Sequence, residues 1–145
     1  MDASKGIVAW GKDNAVASGM ADRPIRWLVD DCAKFVAREK RRGNTYDGII
    51  MDPPSYGRGP SGEVWKLEEN IFDLVELCSG VLSENPLFFL LNSYTTGLSP
   101  AVMGYLLGSV LNPKFGGGVT ADEIGLPVEQ SGMVLPCGST AIWKK

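Results

Sequence analysis

The chain has 145 residues, a formal net charge of −3 and 44% hydrophobic residues, which is a normal balance for one folded domain and argues against disorder. It contains no histidine and three cysteines, so Ser-His and Cys-His catalysis are excluded, and a zinc site or a disulfide framework is not expected. No apolar run approaches the roughly 20 residues of a membrane span and no signal peptide is visible, so a cytoplasmic protein is expected.

Helices and strands are predicted to alternate along the chain. Apolar spacing and end signals predict helices over 4–20, 32–42, 63–82 and 100–111. Apolar runs predict strands at 25–29, 46–51, 87–91, and about 117–124 and 133–143. The alternation predicts an α/β fold with a mostly parallel sheet, and the last two strands, which no helix separates, predict an antiparallel hairpin.

Three predicted strands end in polar loops. These loops are Asp30-Asp31, the segment 52–56 and the segment 92–96. Because parallel strands place their carboxyl ends at one edge of a sheet, all three loops are expected at that edge. In open α/β sheets this edge is where ligands bind.

The segment 52–56 reads Asp-Pro-Pro-Ser-Tyr and carries the strongest functional signal. Pro53 and Pro54 have no N–H and cannot continue a strand ladder, so a rigid lip is predicted that displays Asp52, Ser55 and Tyr56. An aromatic ring among carbonyl oxygens suits a flat, amine-bearing group such as a nucleobase. The alternative is a proline-rich strand exit that only turns the chain.

One basic cluster stands out in an acidic chain of pI about 4.9. It comprises Arg38, Lys40, Arg41 and Arg42, at the end of the predicted helix 32–42. Cations suit the negative end of a helix dipole, and this interpretation is favoured over a phosphate-binding patch.

The three loops in this order, followed by an antiparallel hairpin, resemble the class I S-adenosylmethionine-dependent methyltransferases, and among them the group related to the 23S rRNA cytosine-C5 methyltransferases. The resemblance implies a Rossmann-like sheet that lacks the first strands of the family. It also implies that residues 1–145 are the C-terminal part of a catalytic domain whose cofactor is S-adenosylmethionine. The family's Gly-rich loop after its first strand has no counterpart in the sequence, so these 145 residues are expected to bind the cofactor weakly or not at all and to be inactive on their own.

The resemblance also assigns roles to individual residues. Asp2 matches the acidic residue that holds the cofactor ribose, and Asp31 matches the residue that accepts from the adenine amino group. The backbone N–H of Cys32 would contact the adenine ring, and the motif from Asp52 through Pro54 would lie beside the transferable methyl group. Asp31 has an alternative role as the cap of the following helix, since Asp is favoured there.

The expected reaction is methyl transfer to a nucleobase in ribosomal RNA without a metal. Asp52 would accept a hydrogen bond from the acceptor, Tyr56 would stack on it, and the Pro53 carbonyl is a second acceptor. The cysteine that cytosine-C5 enzymes carry after their fifth strand is absent from the segment 92–96, so an exocyclic amine is favoured over a ring carbon.

Two other classes of function remain open. These are a methyltransferase for a protein or a small molecule, and a non-catalytic nucleotide-binding or interaction module. RNA is expected to bind through a missing N-terminal region. With the first strands absent, we expect either that strand 25–29 pairs with 46–51 or that a second copy covers the open strand edge as a homodimer.

Overall fold

The computed structural model describes residues 1–59, 62–95 and 97–145. It forms two compact units, Met1–Asn44 and Thr45–Lys145. The first unit contains helices α1 (Lys5–Ala17) and α2 (Cys32–Arg42). The predicted bounds of α2 are confirmed. Gly43 ends this helix at φ 71°, a left-handed conformation that glycine adopts without the steric cost that a Cβ imposes.

Helix α1 is capped by Ser4, whose hydroxyl accepts a hydrogen bond from the Ile7 N–H at 3.4 Å. The apolar face of α1 is largely open, however. Ala15 is its one buried residue, whereas Ile7 and Val16 are about half exposed. The helix therefore forms where its spacing predicts, but within its own unit it buries little apolar surface.

The predicted strand 25–29 is wrong. Val29 makes an isolated parallel bridge to Asp2, in which the Asp2 N–H donates to Leu28 and the Asp30 N–H donates to Asp2. A strand needs a neighbour along its length, and this single bridge supplies one point of pairing. The expectation that strand 25–29 pairs with 46–51 depended on that strand and fails with it.

The second unit is built on a four-stranded sheet in the order β1-β4-β6-β5. Strand β1 (Gly48–Met51) runs parallel to β4 (Phe88–Ser93). Strands β5 (Gly118–Pro127) and β6 (Val134–Lys144) form the predicted antiparallel hairpin, and β6 pairs antiparallel with β4. The mixed α/β class and the hairpin are confirmed. Among the described strands of this sheet, one pair is parallel and two are antiparallel, so the sheet is less parallel than expected.

The core of this unit lies between the sheet and helices α3 (Leu67–Ser79) and α4 (Pro100–Phe115). Its fully or nearly fully buried side chains include Leu67, Val75, Phe89, Leu91, Met103, Leu107, Leu111 and Trp143. The Trp143 indole N–H donates to the Gly116 carbonyl at 2.9 Å, which satisfies the one polar atom of this buried ring. Helix α4 packs on β5 and β6, and α3 packs on α4 and β3.

A strand that was not predicted from the sequence follows the Asp-Pro-Pro motif. Strand β2 (Tyr56–Arg58) pairs antiparallel with β3 (Val64–Lys66) in a separate two-stranded sheet. Because 64–66 pairs with β2, helix α3 begins at Leu67 and not at the predicted 63, and it ends at Ser79. Backbone pairing with β3 therefore holds Tyr56–Arg58, the residues that follow the lip.

Candidate active site

The segment after β1 forms the predicted lip at the strand exit. Two of its carbonyl oxygens are occupied. The Pro54 oxygen accepts from the Trp65 indole N–H at 2.7 Å, and the Ser55 oxygen accepts from the Leu67 N–H at 3.0 Å. Among the described residues, the Pro53 carbonyl has no hydrogen-bond partner. The lip is therefore anchored by its neighbours, and the Pro53 carbonyl is an open backbone acceptor on it.

The loop after β4 meets this lip through two hydroxyl groups. The Ser55 Oγ and the Thr95 Oγ1 lie 2.5 Å apart, and the Thr95 N–H donates to the Ser93 hydroxyl at 3.1 Å. The structure thus confirms that the segments 52–56 and 92–96 converge. Thr96, at the end of the second segment, lies outside the described residues.

The Asp52 carboxyl lies at the start of the lip and, among the described residues, has no hydrogen-bond partner. Partial burial raises the pKa of this carboxyl, because desolvation disfavours the charged form. An ionised carboxylate accepts hydrogen bonds and donates none. Asp52 and the Pro53 carbonyl together form a pair of acceptors suited to a group that carries N–H donors.

Tyr56 follows as the first residue of β2 and is 52% exposed. Its hydroxyl accepts from the Arg58 Nε at 2.8 Å, which restrains the ring while leaving it open. Arg58 and Trp65 were missed by sequence analysis, because the β2–β3 hairpin that brings them to the lip was not predicted. A tryptophan after a Pro-Pro turn carries no local signal of this contact.

A groove of about 480 Å³ runs between the β4–α4 loop and the β5–β6 hairpin. Its lining residues are Tyr94, Thr95, Gly97, Leu98, Ser99, Pro100, Glu123, Pro136, Cys137, Gly138 and Ser139. Because Thr95 contacts Ser55, the groove adjoins the lip. A cavity of about 360 Å³ at the other end of the hairpin, lined by Gly117 and Lys144 among others, contains none of the predicted site residues.

The three site residues predicted in the first unit lie near the start of α2. The Asp31 Oδ1 accepts from the Lys34 N–H at 2.8 Å, so the capping role of Asp31 is observed. The Cys32 N–H and the Asp31 Oδ2 have no partner among the described residues. The Asp2 Oδ1 accepts from the Ser4 N–H at 2.7 Å. A free donor beside a free carboxylate oxygen fits an adenine edge, which carries a ring acceptor and an amino donor.

The basic cluster at the end of α2 is partly neutralised within its own unit. Arg38 forms an ion pair with Asp30, and Arg42 lies 3.0 Å from the buried carboxylate of Glu39. Three cationic residues fall in the last turn of α2, where they suit the helix dipole. These contacts agree with the helix-end interpretation that was favoured from the sequence.

Each cysteine has a different environment. Burial raises the pKa of the Cys32 thiol, and the carboxylates of Asp2, Asp31 and Asp30 add to this effect. Cys78 is buried in α3, and the Cys137 thiol donates to the Ile124 carbonyl at 3.4 Å. Because the thiolate is the nucleophilic form, a raised pKa makes Cys32 a poor nucleophile at neutral pH.

Across the described residues, no group of three or more metal-ligating Cys, Asp or Glu side chains comes together. The helices described are each too short or too polar to cross a membrane.

The second unit has a parallel strand pair continued by an antiparallel hairpin, with an Asp-Pro-Pro motif at the strand exit. This arrangement agrees with the Rossmann-like methyltransferase fold that the sequence resemblance implied.

Comparisons with known proteins agree with this class. The chain is 32% identical over 97 residues to the ribosomal RNA large subunit methyltransferase K/L of Marinobacter nauticus, a match over 65% of this chain and 13% of that protein. It is 35% identical to the structure of a SAM-dependent methyltransferase from Agrobacterium tumefaciens, with a TM-score of 0.87 over 98% of this chain and 47% of that one. No protein-family model matches the chain.

A methyltransferase solved in complex with SAH shares the fold at 20% identity, with a TM-score of 0.64 over 97% of this chain and 37% of its own. The chain spans less than half the length of each of these three relatives. It is related to the class I S-adenosylmethionine-dependent methyltransferases and, among them, to the ribosomal RNA methyltransferases.

Proposed function

We propose that this protein transfers a methyl group from S-adenosylmethionine to a nucleobase in ribosomal RNA. The open Pro53 carbonyl beside the Asp52 carboxylate carries this proposal, since together they offer two acceptors to one exocyclic amine. The identity to an rRNA methyltransferase and to a SAM-dependent methyltransferase supports the reaction class. The 145 residues would act as the C-terminal part of a catalytic domain, in a cytoplasmic protein.

In this proposal the lip aligns the acceptor and α2 contributes to holding the donor. Asp52 and the Pro53 carbonyl orient the amine, and the exposed ring of Tyr56 stacks on the base. Asp31, the Cys32 N–H and Asp2 are proposed cofactor contacts, together with Asp52 and Pro54 next to the methyl group. The cofactor supplies an activated methyl on sulfur. The residues supply alignment, which is a large part of the catalysis of such a transfer.

The experiment that tests the proposal starts from cells that lack the protein. We expect mass analysis of their rRNA nucleosides to show the loss of one N-methylated nucleoside, and we expect the wild-type protein to restore it. The Asp52→Ala variant should not restore it. An unchanged set of methylated nucleosides, with tritiated methyl groups entering a protein fraction instead, would contradict the RNA substrate.

A protein or small-molecule acceptor is the second candidate. The acidic pI of about 4.9 favours it, because RNA binding normally rests on clustered Lys and Arg. The same tritium assay, divided into RNA, protein and small-molecule fractions, separates the two candidates. A non-catalytic nucleotide-binding module would bind the cofactor and label none of these fractions.

A homodimer is proposed as the way in which the open edge of β1 is covered. Among the described strands, β1 pairs with β4 alone, and Ile50 on β1 is 69% exposed. An apolar strand with an unpaired edge attracts another chain. Sedimentation at several concentrations should show a dimer that Ile50→Lys weakens, whereas a monomer at all concentrations would contradict this proposal.

RNA contacts through an additional N-terminal region are likewise a proposal.

A further inference from the structure

The ring of Tyr94 is held against the backbone of β6. A Cβ added at Gly138 would lie 2.7 Å from the Tyr94 Cδ1 and 3.2 Å from its Cε1, closer than two carbon atoms can pack. The glycine therefore makes room for the ring. Tyr94 nevertheless stays 56% exposed. An aromatic ring that is fixed on one side and open on the other is ready to stack on a second flat group.

Tyr94 also lies at the junction of the lip and the groove. Tyr94 precedes Thr95, and Tyr56 follows Ser55, while the hydroxyls of Ser55 and Thr95 lie 2.5 Å apart. Two half-exposed tyrosines are thus each one residue away from the same hydrogen bond. Tyr56 belongs to the proposed acceptor site. Tyr94 is therefore available to stack on a second ring next to the acceptor.

The groove beside Tyr94 indicates what kind of ring this is. At about 480 Å³ it falls within the usual size range of small-molecule pockets. Its described lining includes no Lys or Arg, so it does not suit a phosphate group. It does include prolines, hydroxyl groups and one carboxylate, Glu123, whose oxygens have no partner among the described residues. This set fits an uncharged flat ring that carries an N–H donor.

We propose that the groove binds the base next to the acceptor nucleotide, stacked on Tyr94 with its exocyclic amine donating to Glu123. The inference rests on the proposed function and deepens it, because a second base site makes the substrate single-stranded RNA and not an isolated base. Stacking on exposed rings needs unpaired bases, and contact through bases is the mode open to an acidic protein.

The test is a titration of the chain with the hexanucleotides rC6, rA6 and rU6. Changes in the NMR chemical shifts of the backbone amides report binding. We expect rC6 and rA6 to shift the amides of Tyr94, Gly97 and Gly138, and rU6, which lacks an exocyclic amine, to bind more weakly. Tyr94→Phe should bind like the wild type, because stacking does not need the hydroxyl. Tyr94→Leu, which keeps an apolar side chain over Gly138, should weaken binding about 5- to 150-fold.

Two further variants complete the test. Glu123→Gln should reduce the preference for rC6 over rU6. Tyr105→Ala, which removes a tyrosine that is 80% exposed on α4 and outside the groove lining, is the matched control and should bind like the wild type. Equal binding by Tyr94→Leu and the wild type would overturn the proposal. So would groove shifts with an aromatic peptide but with none of the hexanucleotides.

The titration needs neither cofactor nor turnover, so its failure differs from failure of the proposed function. Loss of an rRNA methyl group in cells that lack the protein, together with no hexanucleotide binding in the groove, would support methyl transfer and contradict the second base site. Hexanucleotide binding that depends on Tyr94, together with unchanged methylation of rRNA, would support the base site and contradict the proposed methyl transfer to rRNA.

Discussion

The Trp65 indole nitrogen donates a 2.7 Å hydrogen bond to the carbonyl oxygen of Pro54, eleven residues earlier in the chain. The contact ties strand β3 to the lip that follows β1. It occupies the Pro54 oxygen, whereas the neighbouring Pro53 oxygen has no hydrogen-bond partner among the described residues. We expect Trp65 to act as a positioning residue for the proposed acceptor site.

Removing this hydrogen bond should impair turnover. We expect Trp65→Phe to lower kcat about tenfold with an unchanged KM for the cofactor, since a misplacement of about 1 Å can cost up to about 100-fold. Steady-state kinetics with tritiated S-adenosylmethionine and rRNA from cells lacking the protein measures both values. Trp143→Phe is the matched control, because it also loses an indole-to-carbonyl bond, at Gly116, but lies in the core. It should lower the Tm without lowering kcat. Equal kcat values for the two variants would show that Trp65 is only structural.

Asp52 should affect turnover far more than cofactor affinity. If its carboxylate orients the acceptor chiefly in the transition state, Asp52→Ala in the full-length enzyme lowers kcat and kcat/KM together. Calorimetry of cofactor binding should give similar affinities for variant and wild type. Unchanged turnover on the natural substrate would favour the alternative in which the Asp-Pro-Pro segment only turns the chain.

The raised pKa of the Asp52 carboxyl should make the stability of the folded protein depend on pH. Its pKa is raised in the folded state, so its contribution is favourable below the unfolded pKa and is lost as the pH rises through the folded pKa. Asp52→Asn, which cannot ionise, should therefore have a slightly higher Tm than the wild type at pH 7. The two proteins should differ little near pH 3, where the wild-type carboxyl is mostly protonated. Thermal unfolding at both values checks this, and a lower Tm for the variant at pH 7 would contradict it.

Asp31 allows its capping role to be separated from its proposed adenine contact. Asp31→Ala should destabilise α2 by about 0.5–2 kcal/mol, because the Lys34 N–H loses its partner. Asp31→Asn should preserve the cap, since Asn caps a helix as well as Asp does. It should weaken only the affinity for the cofactor. Hydrogen exchange in α2 reports the first effect and calorimetry the second. Asp31→Asn with unchanged cofactor affinity would leave Asp31 as a cap alone.

The cysteines should be dispensable for chemistry. We expect that replacing Cys32 and Cys137 by Ser and Cys78 by Ala together in the full-length protein leaves kcat unchanged. The raised pKa keeps the Cys32 thiol protonated, and Cys78 is buried in α3. A lower Tm from the loss of packing at Cys78 is the one expected change. A trapped covalent adduct between any of the three and a 5-fluorocytosine-containing RNA would be evidence against this prediction.

Features that depend on neighbouring residues in the chain were predictable from the sequence. The bounds of α2 follow from Asp31 at its start and Gly43 at its end, and the strand exit at Asp52 follows from two prolines that cannot pair. The antiparallel hairpin β5–β6 follows from two strands that no helix separates. In each case the physical cause is a local backbone preference, which the residue type expresses wherever the chain folds.

Features that depend on distant partners appeared only in the tertiary structure. The apolar run 25–29 has strand composition, yet it forms a single bridge because a ladder needs a partner along its length. The strand at 56–58 forms, despite its Gly-rich surroundings, because 64–66 pairs with it. Contact between Ser55 and Thr95, which lie 40 residues apart, depends on β1 and β4 being neighbours in the sheet. The sequence by itself therefore determined which groups stand at each strand exit. Only the packing of the sheet decided which of those groups meet, because their distance is set by strand pairing and not by their separation along the chain.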